Sequence, residues 1–292
     1  MRAATIEATV SIKNVLFPTD FSRESTLALP YALAIARSHR SKLYMVNIQR
    51  EPPGLPASVR RGLEALQPRH EDHVKQAMAL LQAGAQDVPC EMFLRKGDIW
   101  TELSDIIALK KIDLIVTGTH GRRGISKFLE GSVAEDIFRR AACPVLTVGP
   151  LVSGEPGSIA DLHEILFVTD FSQESLAALP YAILLAQQDG ARLYLLHVSP
   201  GPLEHSSESL AKRMLLGLVP HISALSCEPK AFVQYGTPAQ GILEFADEFA
   251  VDLVVLGVER PPRYFDPGRN PRQTTAYAVA SQSICPVLTV RA

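Results

Sequence analysis

Three glycines and a serine near the middle of the chain have the types and spacing that a phosphate-binding loop requires. Two residues lie between Gly118 and Gly121, and nine more precede the pair Gly131-Ser132. Glycine has no Cβ, so backbone N–H groups in such a loop can turn inward toward an anion. Gly131 and Ser132 open a predicted helix, which adds free amides and the positive end of a helix dipole. On these residues alone, the loop is either a phosphate site or an ordinary tight turn before a helix.

Basic side chains inside the same loop favour a phosphate. Arg122, Arg123 and Lys127 could neutralise its negative charge. His120 lies between the first two glycines and leaves two interpretations open, a donor to a phosphate or a solvated loop histidine.

The chain carries the same sequence pattern twice, and only one copy keeps the whole loop. Residues 16–32 recur as residues 166–182, with 13 of the 17 positions identical. The second copy keeps Gly257 but has Arg260 at the position of Gly121 and Gln273-Thr274 at that of Gly131-Ser132. Side chains and the prolines that follow Arg260 would obstruct an inward-facing amide loop. We therefore expect the first copy to hold the site and the second to act as its partner.

The elements that position the loop are apolar strands alternating with helices. In the first copy the predicted strands are 14–18, 43–48, 90–94, 113–118 and 144–148. The first predicted helix is capped by Ser22 and has apolar residues at helical spacing from Leu27 to Ala36. The other predicted helices are 59–81, 98–110 and 132–140. Strands that are apolar on both faces indicate a parallel sheet covered by helices, which predicts an α/β, doubly wound fold. Ligands bind beyond the carboxyl ends of such strands, here near Asp20 and Gly118.

Length and composition predict two domains in tandem. The chain has 292 residues, of which 47% are hydrophobic and 21% charged, and its net charge is −2. We place the first domain at 1–149, a Gly/Pro/Ser-rich linker at 150–162 and the second domain at 163–292. The charge gives no argument for nucleic acid or an anionic membrane as partner. Without a membrane span or secretory signal in the sequence, we expect a cytoplasmic location.

Other candidate chemistry is weaker. Four cysteines without a CxxC pair predict reduced and mostly buried thiols. His70 and His73 share a predicted helix face, but nothing nearby completes a metal ligand set, so we expect a solvated face. No Ser-His-Asp arrangement and no GxxxxGK[ST] loop is present.

At this point the chain resembles the universal stress protein family, over nearly its whole length and as two tandem domains. Four segments carry the resemblance: VLFPTDFS (15–22), DLIVTG (113–118), the loop Gly118-x2-Gly121-x9-Gly131-Ser132, and CPVLTV (143–148). The resemblance implies five-stranded parallel sheets in the order 3-2-1-4-5 that dimerise through strand five. It also implies ATP as ligand, because the first copy matches the motif of the ATP-binding branch at every defined position.

The resemblance also assigns roles to single residues. Asp20 would contact the ribose or adenine side, and Ile48 the adenine edge. Gly118, Gly121, Gly131 and Ser132 would hold ribose and phosphates, and Mg²⁺ could bridge the phosphates. With no general base identifiable near the phosphates, we do not expect an enzyme beyond a slow ATPase.

The strand-five segments predict how the copies associate. An exposed apolar edge strand must be paired, so residues 144–148 and 286–290 should pair antiparallel and give an internal pseudo-dimer. A further homodimer of whole chains is left open.

Two functions compete with a nucleotide-responsive sensor or protective factor. One is a nucleotide-free interaction module on the same duplicated fold. The other is an adenylate-transferring enzyme of the adenine nucleotide α-hydrolase-like group. Such enzymes carry a Ser-Gly-Gly-x-Asp-Ser loop where this chain has Thr19-Asp20-Phe21-Ser22, which counts against that alternative.

Overall fold

The computed structural model describes residues 10–49, 76–79, 81, 84–119, 133–153, 162–219, 225, 227–259 and 274–292. The first half contains strands β1 (Asn14–Pro18), β2 (Lys42–Gln49), β3 (Cys90–Lys96), β4 (Leu114–Gly118) and β5 (Val145–Val148). Its helices are α1 (Arg23–Thr26), α2 (Leu29–His39), α3 (Ile99–Lys110) and α4 (Val133–Arg140). The second half repeats these elements in the same order.

The strands of the second half are β6 (Glu164–Val168), β7 (Arg192–Ser199), β8 (Lys230–Tyr235), β9 (Leu253–Val258) and β10 (Val287–Arg291). Its helices are α5 (Gln173–Leu176), α6 (Leu179–Asp189), α7 (His205–Leu218), α8 (Pro238–Glu248) and α9 (Thr275–Gln282). Most of the predicted helix 59–81 lies outside the described residues, and residues 76–79 within it are helical.

The ten strands of the described residues form one sheet in the order β3-β2-β1-β4-β5-β10-β9-β6-β7-β8. Within each half the strands are parallel and follow the order 3-2-1-4-5, which confirms the predicted doubly wound α/β topology. The halves join where β5 pairs antiparallel with β10, as predicted, with Leu146 opposite Leu288 at the centre. The two five-stranded sheets therefore continue into each other.

One hydrophobic core crosses this junction. Buried side chains of β5 and β10, including Leu146, Val148, Leu288 and Val290, belong to the cluster that also takes in residues of α2 and α6. On the opposite face, Phe138 of α4 joins the core of the second half and meets the ring of Tyr277 edge-on, with 6.2 Å between ring centroids. The halves thus share one core on one face of the sheet, and on the other face the first half contributes Phe138 to the core of the second.

The ends of the segment expected to be a linker pack into that core. Val152 and Leu162 are buried and belong to the shared cluster. Residues 154–161, between them, lie outside the described residues.

The helix predicted after β1 is divided in two. Ser22 caps α1 as expected, its side chain accepting the backbone N–H of Ser25. The helix then breaks at Leu27 and Ala28, and α2 starts at Leu29 with Pro30 in its first turn. Proline lacks an N–H and fits the first turn of a helix better than its interior, so Pro30 marks a new start.

Candidate functional site

The turn that carries Asp20 is built by side chains that hydrogen-bond to the backbone. The Asp20 carboxylate accepts the backbone N–H of Ser22 at 3.0 Å, and the Thr19 hydroxyl accepts that of Phe21 at 3.0 Å. Phe21 has a φ of 62°, a left-handed conformation that few side chains adopt. These bonds fix the exposed Asp20 at the carboxyl end of β1, where the sequence placed it.

The second half forms the same turn. Asp170 accepts the N–H of Ser172 at 2.9 Å, and Phe171 has a φ of 65°. Burial raises the pKa of Asp170, but hydrogen bonds from Ser172 and Ser175 outweigh it and leave the pKa below its usual value. Because both halves keep this turn, its geometry belongs to the scaffold and does not by itself mark a ligand site.

Asn47 is a buried polar residue beside the candidate site that the sequence reasoning missed. It is buried near the end of β2, and its amide donates to the Thr19 carbonyl at 2.9 Å. The equivalent residue of the second half is His197, whose Nδ1 lies 3.0 Å from the Thr169 carbonyl and whose ring is 5.0 Å from that of Phe171. The constant spacing of 150 residues between the copies would have revealed this exchange.

Ile48, Asp20 and Gly118 stand at the carboxyl ends of three adjacent strands, because the sheet runs β2-β1-β4. Ile48 is half-buried and packs against the apolar cluster under α3. The point where strand order reverses lies between β1 and β4, which is where open α/β sheets bind ligands. The structure thus brings together the three predicted site residues that it describes.

Gly118 is the last residue of β4, and the chain continues in extended form beyond it. Gly118 pairs with Val148 of β5, and the next residue, Thr119, is buried with its N–H and hydroxyl on the Val148 carbonyl at 3.1 and 3.2 Å. Gly118 is therefore a strand residue, and an inward-turning loop can begin only after Thr119.

The equivalent Gly257 shows what a side chain would meet at this position in the second half. A Cβ on Gly257 would stand 2.0 Å from the carbonyl oxygen of Glu174 in α5. Helix α1 contacts β4 in the first half as α5 contacts β9 in the second. The requirement at this position is close packing of a helix on a strand, which explains why the second half keeps it.

The rest of the predicted loop, His120, Gly121, Gly131 and Ser132 with Arg122, Arg123 and Lys127, lies outside the described residues. Helix α4 starts at Val133, directly after Ser132, close to the predicted start. In the second half Thr274, the equivalent of Ser132, is the N-cap of α9, and its hydroxyl accepts the backbone N–H of Tyr277 at 3.3 Å.

The four cysteines differ in exposure. All four cysteines are free, with Cys285 buried, Cys90 and Cys143 partly buried and Cys227 exposed, so the expected burial holds for fewer than predicted. Burial raises the pKa of Cys143 and of Cys285 to about 11, which keeps both thiols protonated at neutral pH. Among the described residues no cluster of His, Cys, Asp and Glu could hold a metal ion, and His70 and His73 lie outside them.

No helix in the described parts of the chain is both long enough and apolar enough to cross a membrane.

Comparison with known proteins adds the family context. The sequence model of the universal stress protein family matches residues 11–149 and again residues 162–291. A curated universal stress protein of Methanocaldococcus jannaschii is 33% identical over 140 residues, which are 47% of this chain and 81% of that protein.

Solved structures extend the similarity to the whole chain. The crystal structure of a universal stress protein from Archaeoglobus fulgidus matches 95% of this chain and 98% of its own, with a TM-score of 0.69 and 19% identity. A putative universal stress protein from Pseudomonas aeruginosa matches 97% of this chain and 95% of its own, with a TM-score of 0.62 and 17% identity. At these identities the likeness concerns the fold.

Proposed function

Because the chain belongs to the universal stress protein family, as two copies of the family domain, we propose that its first half binds ATP. The protein would act as a nucleotide-responsive sensor or protective factor in stress. The second half, within the boundaries 163–292, would serve as a partner domain without a nucleotide. We further propose a cytoplasmic location, which the four free thiols suit.

One observation carries the proposal. The motif Gly118-x2-Gly121-x9-Gly131-Ser132 runs from the end of β4 to the start of α4, beside the exposed Asp20 at the end of β1. Strands β1 and β4 are the neighbours between which strand order reverses. Open α/β sheets generally bind ligands at such a point, which supports this position. Amides before α4 would meet the phosphates, and Asp20 and Ile48 the nucleoside.

The second half lacks the motif at the corresponding place, although its scaffold is intact. Its β6–α5 turn and Gly257 match the first half, and Thr274 caps α9. The differences are Arg260 and Gln273 in place of two glycines, and His197 in place of Asn47. This contrast supports one nucleotide per chain.

Mg²⁺ would bind with the nucleotide by bridging its phosphates, since this ion does not require that all its ligands come from the protein. No general base can be assigned near the phosphates within the described residues. We therefore propose binding, with hydrolysis slow at most.

Isothermal titration of the full chain with ATP and Mg²⁺ tests the proposal. We expect one site per chain, lost in Gly131→Val and retained in Gln273→Val, the matched substitution at the equivalent position of the second half. Thermal denaturation gives a second measure, because ligand at 100 times its Kd should stabilise the protein by about 2.7 kcal/mol.

Other results would support other functions. No binding at millimolar ATP would reject the nucleotide site and leave the interaction module as the function of the duplicated fold. Two equal sites would reject the assignment of the second half as partner. A rapid release of ADP or pyrophosphate would reject the binding role in favour of an enzyme.

A further inference from the structure

Arg291 of the second half reaches into the first half. It is the last residue of β10, and its guanidinium donates to the carbonyl of Phe138 in α4 through Nη2. Through Nη1 it donates to the carbonyl of Glu259, just after β9, at 3.0 Å. One side chain therefore connects α4 of the first half to the end of β9 in the second.

The contact with Phe138 is at the end of α4 where a cation is favourable. Phe138 is among the last four residues of the helix, whose carbonyls have no partner within it and carry the negative end of the dipole. Among the described residues Arg291 forms no ion pair with a carboxylate, and burial lowers its pKa. Arginine nevertheless remains protonated at neutral pH, so the carbonyls and the helix end stabilise its charge.

The pseudo-symmetric position in the first half has no counterpart to this side chain. Gly149 is equivalent to Arg291, and Ala280 of α9 is equivalent to Phe138. A Cβ on Gly149 would lie 2.8 Å from the carbonyl oxygen of Ala280, so α9 rests directly on the backbone after β5. Within the described residues, α4, the helix that follows the glycine motif, is the one held by an arginine from the other half.

A second contact from the same half holds the same helix. Ala134 and Phe138, one turn apart on α4, both pack against Tyr277 of α9. We call the antiparallel junction of β5 and β10 the seam. Arg291 and Tyr277 together fix the distance of α4 from this seam and the direction of its axis. The first residue of α4, Val133, immediately follows Ser132.

We infer that Arg291 is a positioning residue for the phosphate end of the nucleotide site, acting across the seam through α4. The inference rests on the proposed function, since it assumes that the start of α4 meets phosphates. It assigns the second half a defined part in ligand binding although that half holds no nucleotide.

The inference predicts a difference between ligands. Asp20 follows the end of β1 and Ile48 lies in β2, and both would bind the nucleoside. Arg291 instead contacts α4 and the end of β9. Loss of the guanidinium should therefore weaken the binding of ATP, which has phosphates. It should leave the binding of adenosine, which has none, unchanged. A general loss of stability would affect both ligands alike.

The test compares Arg291→Met and Arg291→Lys in the full chain, each confirmed as folded by circular dichroism. We expect Arg291→Met to raise the Kd for ATP about tenfold, a usual size for coupling between sites, with the Kd for adenosine unchanged. Arg291→Lys should be intermediate, because an ammonium reaches the helix end as a point charge without the planar fork. Arg192→Met removes an arginine of the second half that pairs with Glu164, and should match the wild type.

A readout without nucleotide separates this inference from the proposed function. Trp100 is the single tryptophan, and the guanidinium of Arg140, the last residue of α4, lies 5.3 Å from its ring centroid. Displacement of α4 in Arg291→Met should change Trp100 emission, while Arg192→Met should not.

The outcomes are distinct. Equal loss of ATP and adenosine binding, or wild-type affinity for both, would overturn the inference. If the wild type binds no ATP, the proposed function fails, and Trp100 emission then decides alone whether Arg291 positions α4. Unchanged Trp100 emission in Arg291→Met would show that Arg291 does not position α4.

Discussion

Gly257 lies directly beneath Glu174, so closely that a Cβ on the glycine would stand 2.0 Å from the carbonyl oxygen of that glutamate. Helix α5 therefore touches β9 backbone to backbone. In the first half α1 likewise contacts β4, the strand that ends at Gly118.

Gly257→Ala should destabilise the protein by about 3 kcal/mol, because the new methyl group meets backbone that cannot move aside. Urea denaturation of the full chain measures the change. Gly217→Ala in α7 is the control, since no described atom beyond the helix's own backbone lies within 4 Å of the added Cβ, and alanine is the better helix former. A wild-type midpoint for Gly257→Ala would show that α5 can shift without cost.

Asp20→Ala and Asp170→Ala form a matched pair that separates scaffold from ligand binding. Each substitution removes an acceptor from a serine N–H and should cost about 1 kcal/mol of unfolding free energy. Only Asp20→Ala should also weaken the binding of ATP, with a Kd raised about tenfold. Calorimetric titration alongside thermal denaturation checks both effects, and equal ATP affinity in the two variants would remove Asp20 from the site.

Leu288→Ala should destabilise both halves together. Leu288 is buried opposite Leu146 at the seam, and truncation of such a side chain costs about 2–5 kcal/mol. Trp100, in the first half, should report the lowered midpoint although the substitution lies in the second. Leu109→Ala, at a position 68% exposed, should leave the midpoint near that of the wild type. An unchanged Trp100 transition in Leu288→Ala would mean that the halves unfold separately.

Cys285 should make stability fall in alkaline solution. Its pKa rises from an ordinary value of 9.0 to about 11 on folding, through desolvation. Above pH 9 the unfolded chain loses this proton first, so the contribution is complete below pH 9 and lost as pH rises toward 11. The contribution of Cys285 to the free energy of unfolding should be on the order of 2 kcal/mol.

Cys285→Ser tests this pH dependence, because serine does not titrate in that range. The free energy of unfolding of the variant should decline less than that of the wild type between pH 8 and 10.5. Cys227→Ser, at an exposed position, should follow the wild type. Parallel declines in all three proteins would exclude Cys285 as the source.

The sequence predicted most of the fold because its signals were local. Strand β1 has the predicted bounds, and Ser22 caps the helix that follows. The repeat and its strand-five segments were enough to predict the antiparallel seam. The break before α2 was missed, because the apolar spacing from Leu27 to Ala36 continues across it, although Pro30 was a visible cue.

Features set by distant contacts could not be read from the sequence. Gly118 belonged to the predicted phosphate loop, yet its position is explained by the packing of a helix that the sequence places about 90 residues earlier. Arg291 gave no signal at all, because its partners Phe138 and Glu259 are far from it along the chain. The exchange of Asn47 for His197 was visible in the repeat, but its meaning needed the bond to the preceding turn.

The antiparallel pairing of β5 with β10 joins two segments of one polypeptide. The association is therefore unimolecular, and its equilibrium does not depend on protein concentration. A pair of separate chains joined by the same strands would come apart on dilution, whereas here each half keeps its neighbour at any expression level. Each copy also keeps the same partner in every molecule, so residues of one copy could change while that copy still pairs with the other.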